Sequence, residues 1–304
     1  MSRLLVLGHN GFVGRYVLDG ARAREDIEIV VPRSDFDVRT THSVADAISE
    51  AEPDWILHLA AQSSVADSLR HPIETYSVNT IGTANVVSAA VDSSFAGRIL
   101  FVSSADVYGE VDPSALPIVE SQPAAPRNPY AASKLAAEIV CLEAARRSGL
   151  DVVIARPFNH IGPGQDARFV VASFAAQIAA IAAGERPSSL AVGDLSVERD
   201  FSDVRDVVAA YFTLLERGAG GAVYNVCSGA GHRLDYVLQQ LVLAAATEVR
   251  IEVDQSRLRT SETPRLVGDN RKLKSLGWRP QIPLSQTIVE VFEHAFNARV
   301  PTNP

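Results

Sequence analysis

The sequence predicts an α/β protein built on a doubly wound parallel sheet, with a second, smaller α/β domain. One observation is a series of short apolar runs without polar alternation, typical of strands buried on both faces, at residues 4–7, 27–31, 55–59, 99–103 and 152–155. Another is that segments with the apolar period of amphipathic helices separate these runs. Because right-handed crossovers place helices on both faces of a parallel sheet, this alternation indicates a doubly wound arrangement.

The second half of the chain differs from the first in composition and in its pattern of predicted elements. After Arg156 it contains loops rich in glycine and proline, at 162–164 and 184–187, among helical segments at 169–183 and 204–216. No internal repeat or low-complexity linker interrupts it. We expect this part to fold onto the carboxyl ends of the strands, where open α/β sheets bind ligands.

Composition excludes several classes of function. The 304 residues are 47% hydrophobic and carry a formal net charge of −8, so a disordered chain and a basic surface for nucleic acid are both excluded. Cys141 and Cys227 lack metal-ligand spacing, so we predict no metal site and a reducing compartment. The apolar run at the N-terminus is short for a signal peptide, and no run reaches the length of a membrane span. A cytoplasmic protein without a membrane partner is expected.

A glycine-rich turn follows the first strand. Gly8, Gly11 and Gly14 are spaced G-x-x-G-x-x-G and lead into a helical segment. Gly8 permits the sharp turn, Gly11 lets backbone N–H groups approach a pyrophosphate, and Gly14 allows the helix to pack closely on the sheet. An ordinary strand-to-helix turn is the alternative. The pattern predicts a dinucleotide site at Gly8, Asn10, Gly11, Phe12, Val13 and Gly14.

The end of the second strand bears on the choice between NAD and NADP, and its two signals conflict. Arg33 is suited to a 2′-phosphate. Asp35 follows Gly14 by about 20 residues, the spacing of a carboxylate that binds the free ribose diol of NAD. We favour NADP(H), because Arg33 comes first after the strand and a guanidinium binds phosphate oxygens in bidentate geometry. NAD(H), and a solvated turn that contacts neither group, remain open.

A tyrosine and a lysine indicate acid–base chemistry. Tyr130 and Lys134 are four residues apart at the start of a predicted helix and therefore share one face. We expect the Lys134 ammonium to lower the pKa of the Tyr130 phenol from about 10 towards neutrality. Ser104 lies at the carboxyl end of the predicted strand 99–103 and adds a hydroxyl beside the expected cofactor.

In order and spacing these segments resemble the extended short-chain dehydrogenase/reductases, across almost the whole chain. The resemblance implies that Ser104 hydrogen-bonds the reacting carbonyl, that Tyr130 is the general acid/base, and that Lys134 also holds the nicotinamide ribose. Asn79 matches a helix asparagine for which we expect a structural role. Further cofactor contacts are implied for Asp37, Val38, Leu59, Ala60 and Ala61.

The same resemblance implies an organisation into two domains. A dinucleotide-binding Rossmann domain is expected at residues 1–159 plus about 193–227, and a nucleotide-sugar domain at about 160–192 plus 228–304. It also favours a homodimer, in which helices 77–91 and 130–147 pair across a two-fold axis. Burial of both helices within one chain is the alternative.

The residue two before Tyr108 distinguishes branches of this family. The 4,6-dehydratases carry glutamate there and GDP-fucose synthases carry cysteine, whereas this chain has Asp106, preceded by Ala105. The resemblance therefore favours a plain ketone reduction. Asp106 is a candidate catalytic residue with two roles open, orienting substrate hydroxyls or acid/base catalysis. A nucleotide-sugar 4,6-dehydratase and a UDP-sugar 4-epimerase remain the alternatives.

Segments of the second half resemble the branch that reduces GDP-4-dehydro-6-deoxy-D-mannose to GDP-D-rhamnose. By that resemblance Asn159 and Arg199 reach the sugar diphosphate, Arg259 the phosphates and Glu262 the guanosine ribose. The chemistry agrees, because guanidinium groups bind phosphate and a carboxylate accepts from a diol. An ion pair of Arg199 with Asp200, and an exposed pair of Arg259 with Glu262, are the alternatives.

Overall fold

The computed structural model of the protein describes residues 1–255 and 263–299. Its main sheet consists of β1 (Ser2–Leu7), β2 (Ile27–Val30), β3 (Trp55–His58), β4 (Arg98–Val102), β5 (Asp151–Pro157) and β9 (Val223–Val226). The strand order is β2-β1-β3-β4-β5-β9, and every neighbouring pair is parallel. The predicted parallel-sheet α/β fold is confirmed.

Helices cover both faces of the main sheet. One face packs against α1 (Phe12–Arg22) and α8 (Val204–Arg217), and the other against α2 (Thr41–Ala51), α5 (Gly82–Asp92) and α6 (Pro129–Ser148). Leu4 and Val6 of β1 lie in the first core and Leu5 and Leu7 in the second, because successive side chains of a strand point to opposite faces. Both faces are buried, which explains why the strands are apolar throughout.

A smaller set of elements surrounds β8 (Glu198–Asp203). This strand pairs with β6 (Asn159–Ile161), β10 (Gly231–Arg233) and β12 (Arg265–Leu266), while β7 (Ser189–Val192) pairs with β11 (Arg250–Val253). A third core joins α7 (Val170–Ala182), α9 (Leu234–Ala245) and α11 (Leu284–Asn297). The short helices are α3 (Val65–Arg70), α4 (Pro72–Tyr76) and α10 (Arg271–Lys274). Within the two described ranges, no helix is both long and apolar enough to cross a membrane.

In the main sheet and its covering helices, the structure differs from the sequence prediction at two elements. The predicted strands match β1 to β5 to within a few residues, but the short strand β9 was missed. The helix predicted from 77 to 91 begins with a π-helix, Ser77–Ile81, before α5. Such wide turns are rare and are frequent at functional sites.

Candidate active site

Close backbone contacts shape the glycine turn between β1 and α1. Gly8 has a φ of 96°, and a β-carbon there would lie 2.7 Å from the amide nitrogen of Ala60. A β-carbon at Gly14 would lie 2.4 Å from the carbonyl oxygen of Gly8. A glycine at this position thus lets α1 approach the backbone that continues β1, in agreement with the close packing expected from the sequence.

The start of α1 is open to an anion. Gly11 is the N-cap residue, has extended backbone and brings no side chain to cap the helix, and the first turn contains no acidic residue. Asn10 precedes this residue, and Phe12 and Val13 are the first two residues of the helix. Because first-turn N–H groups point outward and the helix dipole favours negative charge, this turn fits a pyrophosphate.

The cofactor residues predicted after β3 lie next to the glycine turn that follows β1. The amide of Leu59 donates to the carbonyl oxygen of Leu7 (2.8 Å), which continues the β1–β3 pairing. Ala60 contacts Gly8, and Ala61 follows it into the next loop. The two segments that sequence reasoning assigned to the cofactor are thus adjacent in space.

The segment after β2 forms an open cleft. Its volume is about 240 Å³, and its lining includes Arg33, Asp35 and Asp37. The Arg33 side chain is 73% exposed and its Nη1 lies 3.1 Å from Oε1 of Glu50. An ion pair this exposed contributes little to stability, so the Arg33 guanidinium is available to bind a ligand. Both conflicting cofactor signals therefore face the same cleft.

The neighbouring residues of this segment are more constrained. A hydrogen bond from the Arg39 guanidinium holds the pKa of Asp37 below its ordinary value. The Val38 side chain is buried against α5, where a β-carbon at Gly82 would lie 2.8 Å from its Cγ1. The Val38 carbonyl oxygen also accepts a hydrogen bond from Nδ2 of Asn85 on the same helix (3.0 Å).

Three predicted catalytic residues meet at the carboxyl end of β4. Tyr130 begins α6, whose first turn is capped by the Asn128 side chain. Ser104 lies two residues after the end of β4, hydrogen-bonds Tyr130 and accepts from the amide of Asp106 (3.2 Å). Lys134 Nζ donates to the carbonyl oxygen of Val102 (2.8 Å). All three side chains are buried.

The electrostatics of this cluster correct one prediction. Burial and the nearby charge of Asp106 raise the pKa of Tyr130 well above its ordinary value, and the hydrogen bond with Ser104 opposes that shift. Burial lowers the pKa of Lys134 to about 8. The predicted lowering of the Tyr130 pKa by Lys134 is wrong for this arrangement, because the ammonium is directed to the Val102 carbonyl. A phenol with a raised pKa is protonated at neutral pH, and it gives up its proton only to a strongly basic group such as a developing alkoxide.

A buried charge network behind these residues was missed by sequence reasoning. Glu138 lies one helical turn after Lys134 and pairs with Arg156 of β5 through two hydrogen bonds, of 2.9 and 2.6 Å. The Ser103 hydroxyl also donates to Glu138, and the Arg156 guanidinium lies 4.7 Å from the ring centroid of Tyr108. One signal was available: Glu138 continues the buried i, i+4 face of Tyr130 and Lys134.

Asn79 connects the cofactor side to the catalytic helix. Its Oδ1 accepts from the amide of Gln62 (2.8 Å), and its Nδ2 donates to the carbonyl oxygen of Gln62 and to the hydroxyl of Ser133. Ser133 lies between Tyr130 and Lys134 on α6. The π-helix that contains Asn79 thus holds the loop after β3 against α6.

Of the four predicted substrate residues, the structure describes Asn159 and Arg199. Asn159 is exposed on β6 and Arg199 lies on β8, the strand with which β6 pairs. The carboxylate of Asp200 accepts hydrogen bonds from Ser228 and from backbone amides. Arg259 and Glu262 lie outside the described residues.

A helix terminus that fits a phosphate and a buried phenol thus lie along one edge of a single parallel sheet. Ser104 can polarise a carbonyl, and Tyr130 can protonate the oxygen as it becomes an alkoxide. This combination defines a dinucleotide-dependent oxidoreductase.

Comparison with known proteins narrows the class. A family model described as GDP-mannose 4,6 dehydratase matches residues 22–291. The chain is 42% identical to GDP-6-deoxy-D-mannose reductase from Pseudomonas aeruginosa, over 94% of this chain and 95% of that protein. It superposes on RMD from the same organism, complexed with NADPH, with a TM-score of 0.93 and 40% identity, covering 98% of this chain and all of the other. A UDP-glucose 4-epimerase from Thermus thermophilus in complex with NAD has a TM-score of 0.86 and 30% identity, covering 98% of this chain and 100% of that one.

The chain therefore belongs to the NAD-dependent epimerases and dehydratases of the extended short-chain dehydrogenase/reductases. The family resemblance seen in the sequence is confirmed.

Proposed function

We propose that this protein reduces the C4 ketone of GDP-4-dehydro-6-deoxy-D-mannose to GDP-6-deoxy-D-mannose (GDP-D-rhamnose), with NADPH as the favoured reductant. The observation that carries the proposal is the 42% identity, over nearly the whole length of both chains, to a GDP-6-deoxy-D-mannose reductase. The site supports it, because the Tyr130 phenol and the Ser104 hydroxyl lie together beside the carboxyl end of β4, where both can hydrogen-bond one ketone oxygen.

In this proposal each side chain has one task. Backbone N–H groups of the Gly8–Gly14 turn bind the cofactor pyrophosphate, and the bound nicotinamide supplies hydride to C4. Ser104 donates a hydrogen bond to the carbonyl oxygen, and Tyr130 transfers its proton to that oxygen as charge develops. Lys134 binds the nicotinamide ribose. Asn159, Arg199, Arg259 and Glu262 bind the nucleotide sugar.

The domain roles follow from the same proposal. The main sheet with its covering helices would bind the dinucleotide, and the elements around β8 with the third core would bind the nucleotide sugar. The buried free thiols Cys141 and Cys227 support a reducing compartment, and we propose the cytoplasm.

A coupled assay tests the function. The keto sugar is generated in situ from GDP-mannose by a separate dehydratase, this protein is added with NADPH or NADH, and oxidation is followed by absorbance and the product by NMR. We expect oxidation and GDP-D-rhamnose. Conversion of GDP-mannose without the added dehydratase would instead identify a 4,6-dehydratase, and interconversion of UDP-glucose and UDP-galactose would identify a 4-epimerase.

Asp106 separates the reductase from the dehydratase. In a reductase it transfers no proton, so we expect Asp106→Asn to change kcat by less than about 10-fold. In a dehydratase the carboxylate acts in proton transfer, and the loss would reach about 100-fold or more. Single-turnover measurements with the keto sugar, for reduction, and with GDP-mannose, for dehydration, distinguish the two. Asp19→Asn, at a position that is 67% exposed and lies outside the cofactor cleft, is the control for the loss of one acidic charge.

Arg33 is expected to select NADPH. Because a hydrogen bond to a charged group contributes about 1.5–3 kcal/mol, Arg33→Ala should raise KM for NADPH by roughly 10- to 100-fold and leave KM for NADH unchanged. Arg22→Ala, which removes an exposed arginine paired with Asp19 elsewhere on the surface, is the control. An unchanged KM for NADPH would show that Arg33 does not bind the 2′-phosphate.

The exposed apolar surface of the catalytic helix and its neighbours supports a homodimer. Ile73 on α4, Ile81 in the π-helix and Ile139 on α6 are 80%, 54% and 61% exposed, and the three elements contact one another. Large exposed apolar side chains on three neighbouring elements are typical of an interaction site. We expect Ile139→Arg to convert a dimer to a monomer in size-exclusion chromatography with light scattering. Leu243→Arg, at an equally exposed position on α9, should leave the dimer intact; a monomeric wild type would refute the dimer.

A further inference from the structure

Helix α1 holds a loop on the substrate side of the molecule. The Tyr16 hydroxyl donates to the carbonyl oxygen of Pro163 (2.8 Å), and Arg15 Nη2 donates to that of Gly164 (3.0 Å). One turn earlier, the Phe12 ring is parallel to the imidazole of His160, with 6.3 Å between the ring centroids. Three residues of the first turn and a half of α1 thus contact the segment from 160 to 164.

This segment is folded tightly against the helix. A β-carbon at Gly162 would lie 2.6 Å from Cγ1 of Val204 and 3.4 Å from Cζ of Phe12. Gln165 closes the loop, since its amide donates to the carbonyl oxygen of Gly162 and its side chain to that of His160. The loop is therefore held by specific partners on both sides.

The position of the loop connects the two proposed binding sites. It includes the last two residues of β6, a strand that begins with Asn159, a residue proposed to reach the sugar diphosphate. Its anchor, α1, begins at the turn proposed to bind the cofactor pyrophosphate. Burial, and the nearby charge of Asp203, raise the pKa of Tyr16, so its phenol remains a hydrogen-bond donor at neutral pH.

We propose that Tyr16, assisted by Arg15, is a positioning residue that couples cofactor binding to nucleotide-sugar binding. Cofactor phosphates fix the first turn of α1, the same helix fixes the 160–164 loop, and the loop fixes Asn159. Each ligand therefore binds better when the other is present, and linkage makes the two effects equal. The inference rests on the proposed function for the identity of the nucleotide sugar.

The test is a binding measurement that needs no turnover. The Kd of NADPH is measured by fluorescence with and without saturating GDP-mannose. For the wild type we expect GDP-mannose to tighten NADPH binding by about 5-fold or more. In Tyr16→Phe the ratio should fall towards one while the Kd of NADPH alone is unchanged. Phenylalanine keeps the edge contact with the Phe12 ring (5.5 Å, 75°), so the variant retains its packing.

Other variants and measurements distinguish a positioning role of Tyr16 from a nonspecific loss of structure. Arg15→Ala should reduce the ratio in part, and Tyr236→Phe, on α9, should retain the wild-type ratio. With the keto sugar, Tyr16→Phe should raise KM for the sugar with little change in kcat. A wild-type ratio in Tyr16→Phe, or an equal loss of NADPH affinity without the sugar, would overturn the proposal.

The same measurement with UDP-glucose distinguishes failure of this inference from failure of the proposed function. If UDP-glucose binds and GDP-mannose does not, the proposed substrate is wrong, and the coupling is read from UDP-glucose. If either sugar binds but leaves the Kd of NADPH unchanged, the coupling itself is overturned, whichever sugar is the substrate.

Discussion

Tyr130→Phe is expected to lower kcat by about 100-fold or more while the Kd of NADPH stays nearly constant. The variant removes only the hydroxyl that hydrogen-bonds Ser104, and its ring retains the packing at the start of α6. Without that hydroxyl, no proton is delivered to the oxygen formed at C4. Single-turnover kinetics with saturating NADPH measure the loss of the chemical step directly.

Tyr211→Phe provides the matched control. Tyr211 is as deeply buried as Tyr130, and its hydroxyl has no hydrogen-bond partner among the described residues. Its removal should leave kcat within about 3-fold of the wild type, well below the effect of losing a general acid. If Tyr130→Phe behaved like this control, a different group would have to donate the proton.

Glu138→Gln is expected to destabilise the protein by about 3–5 kcal/mol, because it leaves the Arg156 charge buried without its partner. The two side chains are 2% and 8% exposed, so solvent cannot replace the lost carboxylate. Urea denaturation, monitored by circular dichroism, gives the free energy of unfolding.

The same helix offers the control for this second prediction. Glu143 pairs with Arg147 at i, i+4, and these side chains are 56% and 60% exposed. Glu143→Gln should therefore change the free energy of unfolding by at most about 0.5 kcal/mol. The double variant Glu138→Gln/Arg156→Gln should lose less stability than the sum of its single variants, since it leaves no unpaired charge. Equal losses for Glu138→Gln and Glu143→Gln would show that the buried pair contributes little.

The features that were predictable from sequence are local ones. The apolar runs of β1 to β5 and the spacing of Gly8, Gly11 and Gly14 each depend on a few consecutive residues. The i, i+4 relation of Tyr130 and Lys134 is equally local, and the structure brings Ser104 and Asp106 to the same place. Patterns of this kind predict which side chains share one face of a helix or strand. Because parallel strands end at the same edge of the sheet, the residues that follow them are then expected to lie close together.

The features that escaped prediction depend on contacts between distant elements. The pairing of Glu138 with Arg156 joins α6 to β5. The direction of the shift in the Tyr130 pKa depends on burial of the phenol and on the hydrogen bond from Lys134 to the Val102 carbonyl oxygen. The spacing of residues in the sequence reveals neither. The contact of Tyr16 with Pro163 spans nearly half the chain.

The position of β9 has a consequence for synthesis of the protein. β9 pairs with β5, but β6, α7, β7, β8 and α8 lie between them in the chain. On the ribosome, β5 therefore keeps an open edge until Val226 has left the exit tunnel. Unpaired backbone groups on an apolar strand are a template for association with other chains. A nascent or truncated chain that stops before β9 is thus the species most in need of a chaperone.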